Sequence, residues 1–157
     1  MNGKLVVGFI VVVALIAGGL MYWLQVYAFY SPVSLQAAGE MRLTPIGSAT
    51  PETIVVDNFE GIDATSSPLR FRSCFTTPLS LGTLTETYQV YEKADPLLAP
   101  GWFACFDAEK IGEALKSGEA VAFLSEQNIA AGVDRVIAVY PDGQAFAWHQ
   151  LNGSLDN

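Results

Sequence analysis

The chain has 157 residues, 51% of them hydrophobic, and a formal net charge of −8 at pH 7. Sixteen acidic residues against eight basic ones leave no cluster of Lys and Arg for counterion release, so a nucleic-acid partner is not expected. Two cysteines and one histidine are too few to spell a zinc site.

No charged residue lies between Leu5 and Gly39, and Leu5 to Leu24 is almost wholly apolar. About 20 helical residues, rising about 1.5 Å each, reach about 30 Å, the hydrocarbon thickness of a bilayer. A buried soluble helix would carry one polar stripe, and this stretch has none. Met21-Tyr22-Trp23, followed by Tyr27, Phe29 and Tyr30, resembles an aromatic belt at the far membrane interface. Pro32 disfavours helix at Ser31, so the pattern predicts one span in membrane lipid from Leu5 to Tyr27. The rival is a cleaved signal peptide built from Lys4, Leu5 to Ile16, and the small residues Ala17 and Gly19. Cleavage there would leave the apolar tail Leu20 to Tyr30 in water; an anchor explains both halves. Ala14 and Gly18, with Val11 on the same face, form a small-xxx-small pair that would let a second helix approach.

Lys4 lies before the span, and the next basic residue is Arg42. The positive-inside rule then keeps the N-terminus in the cytoplasm and exports the remainder, which in a bacterial inner membrane means to the periplasm. All sixteen acidic residues and seven of the eight basic ones lie beyond the span. The acidity keeps a domain soluble, and it would also suit docking of a basic partner.

Residues 1–30 thus read as the anchor, 31–42 as a tether with Pro32 and Gly39, and 43–157 as one compact domain with its own core. Within it, Thr53 to Val56 is a β-branched run before Asp57-Asn58 and reads as a strand. Asp57, Glu60 and Asp63 read as a solvated turn, since they lack the register of a calcium loop. Leu69 to Phe75 alternates, with Arg70, Arg72 and Cys74 on the face expected to be exposed. Leu81, Leu84, Tyr88 and Tyr91 recur at helical spacing. Asp107 as cap, Glu109 near the positive end, Lys116 near the negative end and Gly118 as left-handed stop frame a helix over Ala108 to Ser117. Ala120 to Leu124 reads as a buried strand. Arg135 to Tyr140 and Gln144 to Gln150 flank Pro141-Asp142-Gly143 and read as a hairpin. The expected fold class is α+β: an N-terminal transmembrane helix, then an antiparallel sheet of about five strands with two helices packed on it.

Cys74 and Cys105 are expected to form a disulfide in an oxidising compartment, stabilising the fold by roughly 3 to 4 kcal/mol in the chain-entropy model. The alternative is a pair of buried thiols; without C-x-x-C a dithiol oxidoreductase has little basis. His149 sits on a predicted strand, where a structural role outweighs a catalytic one, and no G-x-S-x-G elbow accompanies it. Arg70 and Arg72, with the aromatic residues around Trp102, are candidate contacts for an anionic ligand. No nucleotide-binding glycine motif occurs, and no cofactor is expected.

Met21-Tyr22-Trp23-Leu24-Gln25-Val26-Tyr27-Ala28-Phe29-Tyr30, Cys74-Phe75-Thr76-Thr77-Pro78-Leu79-Ser80, Ala99-Pro100-Gly101-Trp102-Phe103 and Ala147-Trp148-His149-Gln150-Leu151 resemble an uncharacterised family of short anchored proteins of marine and photosynthetic alphaproteobacteria, a domain of unknown function. That resemblance implies no activity. A histidine kinase label sometimes attached to such proteins does not transfer, because the chain has no glycine-rich ATP lid and no room for an ATPase domain beside a dimerisation helix pair. The sequence therefore leads to a non-enzymatic, membrane-anchored periplasmic protein acting by contact, as an accessory subunit or assembly factor of an inner-membrane complex. A periplasmic ligand-sensing module using Arg70, Arg72 or Trp102 is the alternative, and an enzyme using Cys74, Cys105 or His149 is the third.

Overall fold

The computed structural model describes residues 2–155, and the chain divides between Tyr30 and Ser31 into two compact units. The first is helix α1 (Gly3–Trp23), continued by a wider turn over Leu24–Ala28. Gly3–Ala28 spans 26 residues and contains an 18-residue window of mean hydropathy 2.6, and none of α1 is buried. Length and composition fit a membrane anchor or a signal sequence. Val11, Ala14 and Gly18 lie on α1, and a Cβ built on Gly18 meets nothing within 4 Å, so nothing within the helix itself blocks a close neighbour.

The second unit is an antiparallel sheet sandwiched between two covering layers, an α+β arrangement. Six strands pair in the order β1 (Ser31–Val33), β4 (Asp57–Asp63), β5 (Arg72–Thr76), β8 (Gln144–Leu151), β7 (Val133–Val139), β6 (Val121–Ala130). A small hairpin of β2 (Arg42–Leu43) and β3 (Glu52–Thr53) lies apart from it. Because side chains alternate along a strand, Phe71 and Phe75 beside β8 Ala145 and Ala147 and β7 Ile137 and Val139 share one face. Met41, Leu43, Ile54 and helix α2 (Leu81–Thr87) through Leu84 cover that face as the main core. The opposite face carries Arg72, Cys74, Phe146 and Trp148. It is closed by Phe106, whose ring meets Phe146 at 6.1 Å and Trp148 at 6.3 Å, and by helix α3 (Ala108–Ser117). Cover on both faces makes every residue of β7 buried.

Several expectations are corrected by this architecture. The predicted tether is part of the fold: Ser31–Val33 pairs with β4, and Met41 is fully buried, because its apolar side chain caps the core. Pro32 sits on the sheet's edge strand, the place where a missing amide donor is tolerated. The strand expected over Thr53 to Val56 is limited to Glu52–Thr53, and Asp57, Glu60 and Asp63 lie on β4 rather than in a turn. The face of Arg72 and Cys74 is not exposed, since residues 95–106 fold over it. The helix from Leu81 stops at Thr87, before Tyr88 and Tyr91. The expected antiparallel sheet with helices packed on it is present, with six strands in the main sheet. Helix α3 and the β7–β8 hairpin stand where the sequence places them.

Gly143 in that hairpin has φ of 87°, and a Cβ there would lie 2.6 Å from the Thr77 carbonyl oxygen. Gly143→Ala is therefore expected to lower stability by about 1 to 3 kcal/mol in chemical denaturation. Ser73, fully buried, has a hydroxyl without a hydrogen-bond partner. Ser73→Ala should leave the denaturation midpoint unchanged or raise it, because no bond is lost and a desolvated hydroxyl is removed.

Candidate functional site

After α2 the chain has little regular structure until α3, and buried backbone polar groups in such a segment need partners. Two side chains of the sheet, Arg72 and Gln150, supply such partners, and a third, Asp134, holds a side chain of the segment. Arg72, 3% exposed, donates from Nε to the Leu97 carbonyl at 2.8 Å and from Nη2 to the Leu98 carbonyl at 3.1 Å. Its Nη1 also holds the carbonyls of Leu69 and Phe71, and Phe106 lies under the guanidinium at 5.8 Å. Gln150 accepts from the Asp95 amide at 2.8 Å and donates to the Lys93 carbonyl at 2.9 Å, while its oxygen also receives the Trp148 indole N–H. Asp134, paired with Gln150 across β7 and β8, accepts the Tyr91 hydroxyl at 3.1 Å. Burial, reinforced by Asp134, pushes that phenol up to about 12. Residues 91–98 thus form a strap fastened to the sheet at both ends and in the middle.

Farther along, Cys74 on β5 is bonded to Cys105, with Cα atoms 6.2 Å apart. Phe103 and Phe106 are buried beside the bridge. Asp107 then caps α3 by accepting the Lys110 amide at 3.1 Å, and Gly118 ends it with φ of 76°. The helix buries Ala108, Ile111 and Ala114 against the sheet and turns Glu109, Glu113 and Lys116 outward. Between α3 and the strap runs a groove of about 790 Å³, with Leu115, Ala120, Val121 and Ala122 in its lining. Glu92 and Asp95 stand on the strap side, Glu109 and Glu113 on the helix side. Val90 is 50% exposed and Leu98 79% exposed, and the two lie together in the lining of this groove.

The remaining sequence candidates are placed as follows. Arg72 is committed to the strap. Arg70 is half-buried on the segment before β5, and Trp102 is exposed next to Phe103 at 6.3 Å. Neither Arg70 nor Trp102 lines the groove. His149 is buried between partners: Arg135 Nε donates to its Nε2 at 3.0 Å, so its Nδ1 carries the proton and donates to the Pro68 carbonyl at 2.7 Å. Phe71 stacks on the imidazole at 4.8 Å and on the Arg135 guanidinium at 4.6 Å. Among the described residues no group of three or more His, Cys, Asp or Glu could hold a metal ion. Sequence reasoning missed Gln150, Asp134 and Arg135 as fasteners; the available signal was polar side chains interrupting otherwise apolar strands.

Residues 41–157 match the model of a family of unknown function, DUF6446. The chain belongs to that family. None of the curated proteins and none of the solved structures matches it. The DUF6446 match takes in the strap, the disulfide, α3 and all of β4 to β8, and it begins after the apolar helix and β1.

Desolvation, with Arg135 second, lowers the His149 pKa from 6.5 to about 4; the Pro68 bond opposes the shift and Arg72 adds to it. The depressed value means that the folded state resists a proton the unfolded chain accepts. Its stabilising effect is complete above pH 6.5 and is lost as pH falls toward 4, a loss on the order of 3 kcal/mol. Asp63, whose pKa is raised by burial, titrates nearby with the opposite sign, so the comparison must isolate the histidine. Denaturation from pH 7.5 to 4 should show a steeper loss for the wild type than for His149→Gln.

Proposed function

We propose that this DUF6446 protein is a membrane-anchored, non-enzymatic contact protein of the bacterial inner membrane. Its N-terminus stays in the cytoplasm and its folded domain stands in the periplasm, where it serves a membrane complex as accessory subunit or assembly factor. The observation that carries this reading is the fastened strap: a segment without regular structure is fixed by Arg72, Gln150 and Asp134, and it presents Leu98, with Val90 just before it, to solvent beside a groove. Ordering such a segment costs conformational entropy, and a surface that is preformed for binding gains from it. The apolar helix Gly3–Ala28 supports anchoring, and the Cys74–Cys105 bond suits an oxidising compartment. Bonded cysteines and a histidine engaged at both ring nitrogens favour contact over catalysis.

Full-length protein expressed at its native level, solubilised in mild detergent and affinity-purified, should elute with a reproducible stoichiometric membrane partner. Recovery as a partner-free monomer would contradict the proposal. A periplasm-dependent reporter fused after the last residue should be active, and activity restricted to a cytoplasmic reporter would reverse the orientation.

A further inference from the structure

We infer that the groove between the strap and α3 receives a basic, amphipathic segment of a partner protein; the inference rests on the contact reading and names where and with what chemistry contact is made. The groove's lining is apolar along Leu115, Val121 and Ala122. Gly112 adds a notch in the helix wall, where a Cβ would meet nothing within 4 Å. Leu98 and Val90 extend this apolar surface to the mouth. Carboxylates flank it on both sides, Glu92 and Asp95 from the strap and Glu109 and Glu113 from the helix, against Lys116 as the cation in the lining. An occupant matching that pattern has an apolar stripe with positive charge along each flank, which is an amphipathic segment rich in Lys or Arg.

The interior strengthens the charge argument. Seven basic residues follow the apolar helix, and the fold buries two of them, Arg72 and Arg135, against one acid, Asp134. The outer surface is thereby more acidic than composition alone indicates, and it would steer a basic partner while repelling an anionic lipid headgroup. Because Arg72 and Gln150 hold the strap from the sheet side, its outward side chains are already in position, and little ordering remains to be done on binding.

The test places the photo-crosslinking residue benzoyl-phenylalanine at Leu98 or Val90, and at Ile46 or Val55 as exposed positions outside the groove, in the full chain in its native membranes. The expected result is a protein adduct from Leu98 and Val90 whose cross-linked segment is amphipathic and rich in Lys or Arg. Adduct yield should fall about tenfold in Glu92→Lys/Glu113→Lys. Should that double variant misfold, Glu92→Gln/Glu113→Gln should still lower the yield two- to threefold. Adducts from Leu98 to lipid, to a segment without excess basic charge, or indifferent to both charge variants would overturn the inference. Adducts arising only from Ile46 or Val55 would overturn the groove and leave the contact reading standing. No adduct from any position in correctly folded protein would overturn both.

Discussion

The buried guanidinium of Arg72 is the contact on which the outer half of the domain depends. Taking an arginine out of water costs several kcal/mol unless its donors are satisfied. Here they are satisfied by backbone carbonyls from two places, Leu69 and Phe71 just before β5 and Leu97 and Leu98 on the strap. The ion therefore requires the strap as much as the strap requires the ion. Charge-assisted bonds to carbonyls are stronger than neutral ones, and the planar fork fixes the direction of each. Lysine could not substitute, since a single ammonium does not reach four acceptors in that plane.

From that point the other features follow in order. Gln150 and Asp134 fasten the strap farther upstream, and the Cys74–Cys105 bond ties down the segment leading to α3. Phe106 fills the space between guanidinium, Phe146 and Trp148, which seals the sheet face the strap crosses. Strap and helix then stand apart on a common floor, and the gap between them is the groove. A second polar stack, Phe71 with His149 and Arg135, closes the opposite face near Pro68 and Glu40. Each sheet face thus buries one arginine, Arg72 through four backbone carbonyls and Arg135 through the His149 imidazole and the Glu40 carbonyl.

Local signals in the sequence were sufficient where one element settles its own chemistry. Asp107, Gly118 and the apolar spacing of Ile111, Ala114 and Leu115 define α3 without help from the rest of the chain. Pro141-Asp142-Gly143 defines the β7–β8 hairpin in the same way, and the two cysteines are joined as expected. Failures came where distant segments decide. Alternation around Arg72 is what a half-exposed strand shows, and nothing nearby reveals that residues 95–106 return to cover it. The charged residues of β4 resemble a turn because that strand lies toward the sheet's edge, where Asp57 and Glu60 face solvent. The groove was not legible, as its walls come from segments brought together only by the fasteners. The family match adds membership and no chemistry, so the geometry of the strap is what any account of function must use.

Hydrogen exchange on the full chain tests the central claim most directly, comparing the wild type with Arg72→Met under oxidising conditions. The informative amides are Asp95, bonded to Gln150, and Phe103, bonded to the Pro100 carbonyl, with Ile137 and Ala138 in the buried interior strand β7 as internal references. If Arg72 fastens the strap, exchange at Asp95 and Phe103 rises about tenfold to a hundredfold, while the β7 amides slow or quicken only with global stability. Equal acceleration at all four amides, or none at Asp95, would show that the strap is held by something other than the buried guanidinium.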